Sequence, residues 1–336
     1  MRRPLPKGCL AANYRPAKYR PNDARETGMG ETAGYAVLET RGVLAVGGDD
    51  RVAFLQGLVS NDVRAVAADR ALYALLLTPQ GKYLHDFIMA DAGDALLLDT
   101  EGPRAGDLLR RLKPYKLRSK VTFADLGGAR IVAALFGADA LARLELPAQP
   151  GAARPFAGGI LFTDPRLPEL GARAILPGGD ARAASEAALE AAGFARLDEA
   201  AYDALRLELG VPDGSRDMEV EKAIALENNL DALNAISWDK GCYIGQELTA
   251  RTRYRALIRK RLFPVTVDGP LPEPGTPVLL GEQTVGEMRG GRGSRALALL
   301  RIEDVERAAQ DQNVNSPVFR AGHSLVTATR PPWFGA

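Results

Sequence analysis

The chain has 336 residues, 46% hydrophobic and 25% charged, with a formal net charge of +1. Those proportions suit a globular protein of about two domains and exclude a disordered or fibrous chain. The near-neutral balance points to no polyanionic partner, two cysteines make no disulfide framework, and no apolar run approaches the ~20 residues of a membrane span.

Residues 1–33 are basic, rich in Pro and Gly, and carry no hydrophobic period, so they read as a disordered tail. Met29 is a candidate start. The tail has no apolar core of a secretory leader, and with so few cysteines the expected compartment is the reducing cytoplasm. Tyr35–Glu39 and Gly42–Val46 predict strands on either side of a turn at Thr40 and Arg41. Asp49 or Asp50 can cap a helix carrying Val52, Leu55 and Leu58. Ala71–Leu77 and Tyr83–Ala90 flank Pro79-Gln80-Gly81 and predict a hairpin. A further strand at Ala95–Asp99 precedes a basic amphipathic helix near Arg104–Leu112. Val121–Ala124 and Ile131–Phe136 are strand-like.

Ile160–Thr163 and Ala172–Leu176 bracket Asp164–Gly171, which reads as irregular. Ala183–Ala192 predicts a helix stopped by Gly193. Another runs from Asp198 or Glu199 to Leu209, stopped by Gly210 and Pro212. Residues 211–239 read mostly as loop. From Leu262 the pattern changes to short strands punctuated by Gly and Pro, the mark of a small β-barrel. The expected fold class is therefore α+β. Residues 1–33 form the tail, 34–261 a domain of antiparallel sheets with packed helices, and 262–336 the C-terminal barrel.

Residues 240–251, Lys-Gly-Cys-Tyr-Ile-Gly-Gln-Glu-Leu-Thr-Ala-Arg, concentrate the chemistry. Gly241 and Gly245 bracket Cys242 in a tight loop, and a helix is predicted from Gln246 with Glu247 and Arg251 paired four apart. Lys240 and the helix N-terminus would both favour the thiolate of Cys242. The blander expectation for a lone cysteine is a buried, inert thiol. Arg251, Arg253, Arg255, Arg259, Lys260 and Arg261 form a basic run, either a solvated face or an anion-attracting one. Nucleic acid is not expected, since Tyr254 is the one aromatic interleaved in it.

The string from Lys240 through Cys242, Tyr243, Gly245, Gln246 and Glu247 to Arg251 resembles the signature of the YgfZ-type folate-binding proteins. These are relatives of the aminomethyltransferase of glycine cleavage that act in iron–sulfur cluster assembly or repair. The resemblance extends to Phe54–Asp62, to Leu77–Lys82 with Asp86, and to Leu205–Pro212. It implies a GcvT-like fold and a tetrahydrofolate pocket between Asp86 and Tyr202. Asp86 and Glu169 would serve the pterin, Tyr202 would stack on it, and Arg206, beside Glu208, would hold the folate tail. It also implies a reactive Cys242 with Lys240 beside it. The cysteine would be a transient cluster ligand or exchange thiol rather than part of a permanent metal site, with assembly factors or client enzymes as partners. The alternative is a folate-dependent one-carbon transferase with Asp86 as the proton-handling acid. Asp86, Arg206 and Glu208 could instead be structural, and His85 and His323 are expected to be a surface and a structural residue.

Overall fold

The computed structural model describes residues 33–254, 258–311, 318–331 and 333–334. The tail expected at 1–33 lies outside the described residues except for Ala33, which is buried and whose carbonyl accepts from the Ala195 N–H. The chain forms two antiparallel-rich sheets with packed helices, followed by a closed barrel, as the α+β expectation has it.

The strands predicted around Thr40 part company. Gly34–Val37 joins a six-stranded sheet, pairing with Arg130–Phe136 and Ala195–Arg196. Arg41–Gly47 joins a five-stranded sheet, between Ala95–Glu101 and Thr122–Asp125. The turn is therefore a crossing between sheets. In the five-stranded sheet, Leu72–Leu77 is buried along its whole length. Its period-two alternation sends Tyr73, Leu75 and Leu77 into the core shared with the other sheet. Leu72, Ala74 and Leu76 face the core beneath the Arg51–Gln56 and Ala105–Leu112 helices.

Leu72–Leu77 and Tyr83–Asp91 form the expected hairpin, with a register shift between Leu76, opposite His85, and Leu77, opposite Tyr83. The shift leaves Leu84 as an extra residue, a β-bulge. Tyr83 and Asp86, three apart, thereby face the same inter-sheet core, and His85 faces the helix side. His85 is thus not a surface residue. It is 1% exposed, and its Nε2 meets Asp107 Oδ2 at 2.8 Å.

The barrel closes in the order Lys260–Asp268, Arg295–Arg301, Gln283–Arg292, Pro277–Leu280, Val318–Ala321, Ser324–Ala328. An unforeseen amphipathic helix, Ile302–Asp311, packs Val305 and Ala308 onto its core. His323 is exposed in its last turn.

Candidate functional site

Two polar constellations stand out, and the sequence-predicted residues divide between them. The first lies buried between the sheets. Asp86 is 3% exposed, and its carboxylate accepts from the Tyr73 hydroxyl at 2.9 Å and the Tyr83 hydroxyl at 2.7 Å. Burial raises its pKa against the pull of Arg41. Tyr202 is buried too. Its hydroxyl accepts from Arg166 Nη2 at 2.8 Å and Arg173 Nη2 at 2.9 Å, and its ring centroid lies 5.6 Å from that of Phe136.

Arg166 forks onto Asp164 with contacts of 3.0 and 2.7 Å. Arg173 and Arg41 share Asp99, at 2.7 and 2.6 Å. Burial opposes ionisation of Asp164, but the Arg166 and Arg173 guanidiniums overcome it and hold the carboxyl below its usual range. Arg206 joins Asp203 and Asp217, each at 2.6 Å. Arg206 is therefore an internal pillar tying its own helix, Glu199–Glu208, to the segment after it.

Glu169 and Glu208 stand apart from this cluster. Glu169 is exposed on the short turn Pro168–Leu170, and Glu208 reaches out to Arg295 at 3.3 Å. Sequence reading missed Arg166, Arg173, Asp99, Asp164, Tyr73 and Tyr83. The signal was there in Arg173, a charge set between Ala172 and Ala174 in an otherwise apolar strand.

The folate expected between Asp86 and Tyr202 can be tested against this geometry. The cavity lined by Arg41, Arg166, Arg173, Tyr202 and Arg206 has a volume of about 10 Å³. That is room for about one water, against the ~300 Å³ or more of a cofactor pocket. Both Asp86 oxygens are covered by phenols, and the Tyr202 hydroxyl is held by two arginines. The residues present in that space do not fit a pterin. The same cover leaves Asp86 no open face for the proton handling that a one-carbon transferase needs.

The second constellation is open. Cys242 is exposed, which overturns the buried-thiol reading, and no hydrogen bond to its sulfur occurs among the described residues. Its loop is fixed from both sides. The Lys240 ammonium, which was expected beside the thiol, instead turns inward and donates to three backbone carbonyls: Gln56 at 2.8 Å, Val59 at 2.6 Å and Asn61 at 2.6 Å. Those carbonyls end the Arg51–Gln56 helix and begin the following turn, so Lys240 acts as a cationic cap. It is 5% exposed, and its ammonium lies 5.2 Å from the Tyr243 ring centroid. Burial lowers its pKa to about 8 and raises that of Tyr243 to about 12.

On the other side Gly245, at φ 84°, lies against the Thr78–Gly81 turn, where an added Cβ would sit 2.6 Å from the Thr78 carbonyl oxygen. Gly241 meets no such constraint, since a Cβ there would have nothing within 4 Å. The predicted helix is present as Gln246–Tyr254. Glu247 and Arg251 on it form no ion pair with each other. Arg253 stacks over Trp238 at 4.1 Å, and Arg261 pairs with Asp231 at 2.7 Å, so the basic run is partly structural. Arg255 lies outside the described residues.

The chain is similar to the mitochondrial iron–sulfur cluster assembly factor IBA57 of Homo sapiens, 37% identical over 297 residues that cover 80% of this chain and 78% of that protein. The Mus musculus counterpart is 32% identical, covering 88% and 84%. The chain belongs to the IBA57 family of iron–sulfur cluster assembly factors. The YgfZ-type resemblance is thus sharpened to a related branch. The family model described as the CAF17 C-terminal β-barrel domain matches residues 259–336. Aminomethyltransferase T of the glycine cleavage system from Bartonella henselae superposes with a TM-score of 0.67 at 17% identity, covering 91% of this chain and 87% of that one. That likeness shows the shared fold. The cytoplasmic expectation is corrected by these relatives, which are named as mitochondrial.

Proposed function

We propose that this protein assists iron–sulfur cluster assembly by presenting the Cys242 thiolate, on a braced loop, to a cluster held jointly with a partner protein. The observation that carries the reading is the exposure of Cys242 between two anchors, the Lys240 cap and the Gly245–Gly81 contact, in a chain of this family. Among the described residues no group of three or more His, Cys, Asp or Glu side chains could hold a metal. One thiolate meets a fraction of the four-thiolate demand of a cluster, so the partner, an assembly factor or a client enzyme, supplies the remaining ligands.

This chain's own contribution is positional. Cys242 offers its sulfur as a ligand. Lys240 and Gly245 fix where that sulfur stands, and the Gln246–Tyr254 helix beside it offers Arg251, Arg253 and the exposed Leu248 and Tyr254 to the partner. The tetrahydrofolate arm of the expectation requires a form in which Arg166 leaves Asp164 and Tyr202 swings away. In the closed form the reading proceeds without folate, and calorimetric titration with tetrahydrofolate decides this arm separately.

The central test is a strain lacking its own copy and shown to need the protein. Cys242→Ser should fail to restore iron–sulfur enzyme activity while accumulating normally. Restored activity would overturn the thiolate mechanism. A one-carbon transferase would show the reverse order, with Asp86→Asn inactive and Cys242→Ser silent.

A further inference from the structure

Away from Cys242, the Ala105–Leu112 helix runs into the short turn Lys113–Tyr115 and then a knuckle that rejoins the sheet at Thr122. Residues 104–120 carry seven basic side chains and one acidic, Asp107. Asp107 is already taken up by His85, Arg110 and Arg111. Lys113, Lys116 and Arg118 form no ion pair among the described residues, and Lys120 lies 3.8 Å from Asp49. Every residue from 113 to 118 is exposed, Tyr115 by 46% and Leu117 by 88%.

The knuckle is nevertheless well held. The Lys116 N–H donates to the Lys113 carbonyl at 3.1 Å, the Ser119 N–H to the Lys116 carbonyl at 2.7 Å, and the Lys120 N–H to Asp50 Oδ2 at 2.7 Å. At its tip Leu117 adopts a left-handed backbone with φ 41°. Glycine or asparagine would take that conformation with less strain. Leu117 carries the strain and also leaves its side chain in water, so neither cost is recovered within the fold.

We propose that this knuckle is a peripheral contact for an anionic lipid surface. Leu117 enters the acyl boundary, Tyr115 lies at headgroup level, and Lys113, Lys116, Arg118 and Lys120 meet the phosphates. An exposed aliphatic tip flanked by four cations, in a stretch with no carboxylate from residue 108 to 120, is complementary to an anionic lipid surface. No helix among the described residues is long and apolar enough to cross a membrane, so the contact is peripheral. It runs counter to the sequence expectation of no membrane partner and is independent of the thiol.

The test is co-sedimentation of the full chain with phosphatidylcholine vesicles, with and without phosphatidylglycerol, at low and raised salt. Binding should require the anionic lipid and weaken with salt. Lys116→Ala and Arg118→Ala should each weaken it about fivefold. Leu117→Gly relaxes the backbone, so the melting temperature should hold or rise while vesicle affinity falls about tenfold or more. Failure of the wild-type chain to sediment with anionic vesicles, or undiminished binding by Leu117→Gly, would overturn the proposal. A photo-cross-link from position 117 to an acidic protein, without vesicle binding, would assign the knuckle to a protein partner instead.

Discussion

The inter-sheet cluster and the Cys242 loop use polar residues in opposite ways. In the cluster, Arg41, Arg166, Arg173 and Arg206 are matched against Asp99, Asp164, Asp203 and Asp217 and closed off from water. In the loop one buried cation, Lys240, is taken up by backbone carbonyls while Cys242, two residues on, stands in solvent. Buried ion pairs of this kind give specificity of packing more readily than net stability. The contrast matches architecture in the first region with the chemistry proposed for the second, and the following measurements can break it.

The largest effect on stability should come from Asp99→Asn. This residue is fully buried and serves two arginines at once, Arg41 and Arg173. Removing its charge leaves both guanidiniums without their shared anion, which should cost on the order of 3–5 kcal/mol. Denaturant unfolding reads it directly. A loss below about 1 kcal/mol would mean that the cluster is not the structural centre argued here.

Next in size is an acid-sensitive term from His85. Burial, with Arg104, lowers its pKa from 6.5 to about 4, although Asp107 pulls the other way. Between those values the unfolded chain binds a proton that the folded chain does not, so stability falls as pH drops from about 6.5 to about 4. The shift corresponds to roughly 3 kcal/mol at the acid end of the window. Unfolding midpoints across that range should flatten in His85→Asn. An unchanged slope would place the acid sensitivity elsewhere.

The architecture was largely legible in the sequence because it follows from periodicity. The two-sided Leu72–Leu77 strand, the Tyr83–Asp91 return and the C-terminal barrel strands announce themselves by apolar runs and turn residues. What stayed hidden depends on register and on contacts far apart in the chain. The bulge at Leu84, which puts Tyr83 and Asp86 on one face, changes no composition. The pairing of Asp99 with Arg173 spans 74 positions. Residues read as ligand-binding by resemblance, Asp86, Tyr202 and Arg206, are those whose carboxylate, hydroxyl and guanidinium already have internal partners, between 3 and 36 positions away. The loop was read more fully since Gly245, Cys242 and the helix start at Gln246 are local features. The direction of Lys240 was not, because its carbonyl partners lie about 180 residues away.

A smaller effect sharpens the account of the loop. Gly245→Ala introduces a Cβ 2.6 Å from the Thr78 carbonyl oxygen at a positive φ. It should cost about 1–3 kcal/mol. Gly241→Ala meets open space and should be close to neutral. Both variants keep Cys242, so a fall in iron–sulfur enzyme activity with Gly245→Ala, at equal protein levels, would show that loop placement matters as well as the sulfur. Equal behaviour of the two would remove the Gly245–Gly81 contact from the argument.

The smallest effect on the fold, and the one that most cleanly divides the two regions, belongs to Cys242→Ser. The side chain is exposed, and its sulfur accepts and donates no hydrogen bond among the described residues. Oxygen for sulfur changes its volume little, and surface substitutions away from caps and pairs stay within about 0.5 kcal/mol. Unfolding midpoint and expression should therefore match the wild type. The wild-type thiol should be titrated in the native protein by a small alkylating agent, and the serine variant should lose that labelling wherever Cys242 was its target. A native thiol that labels only after denaturation would mean that Cys242 is covered in solution. The contrast between a closed centre and an open loop would then fail at the residue on which it depends.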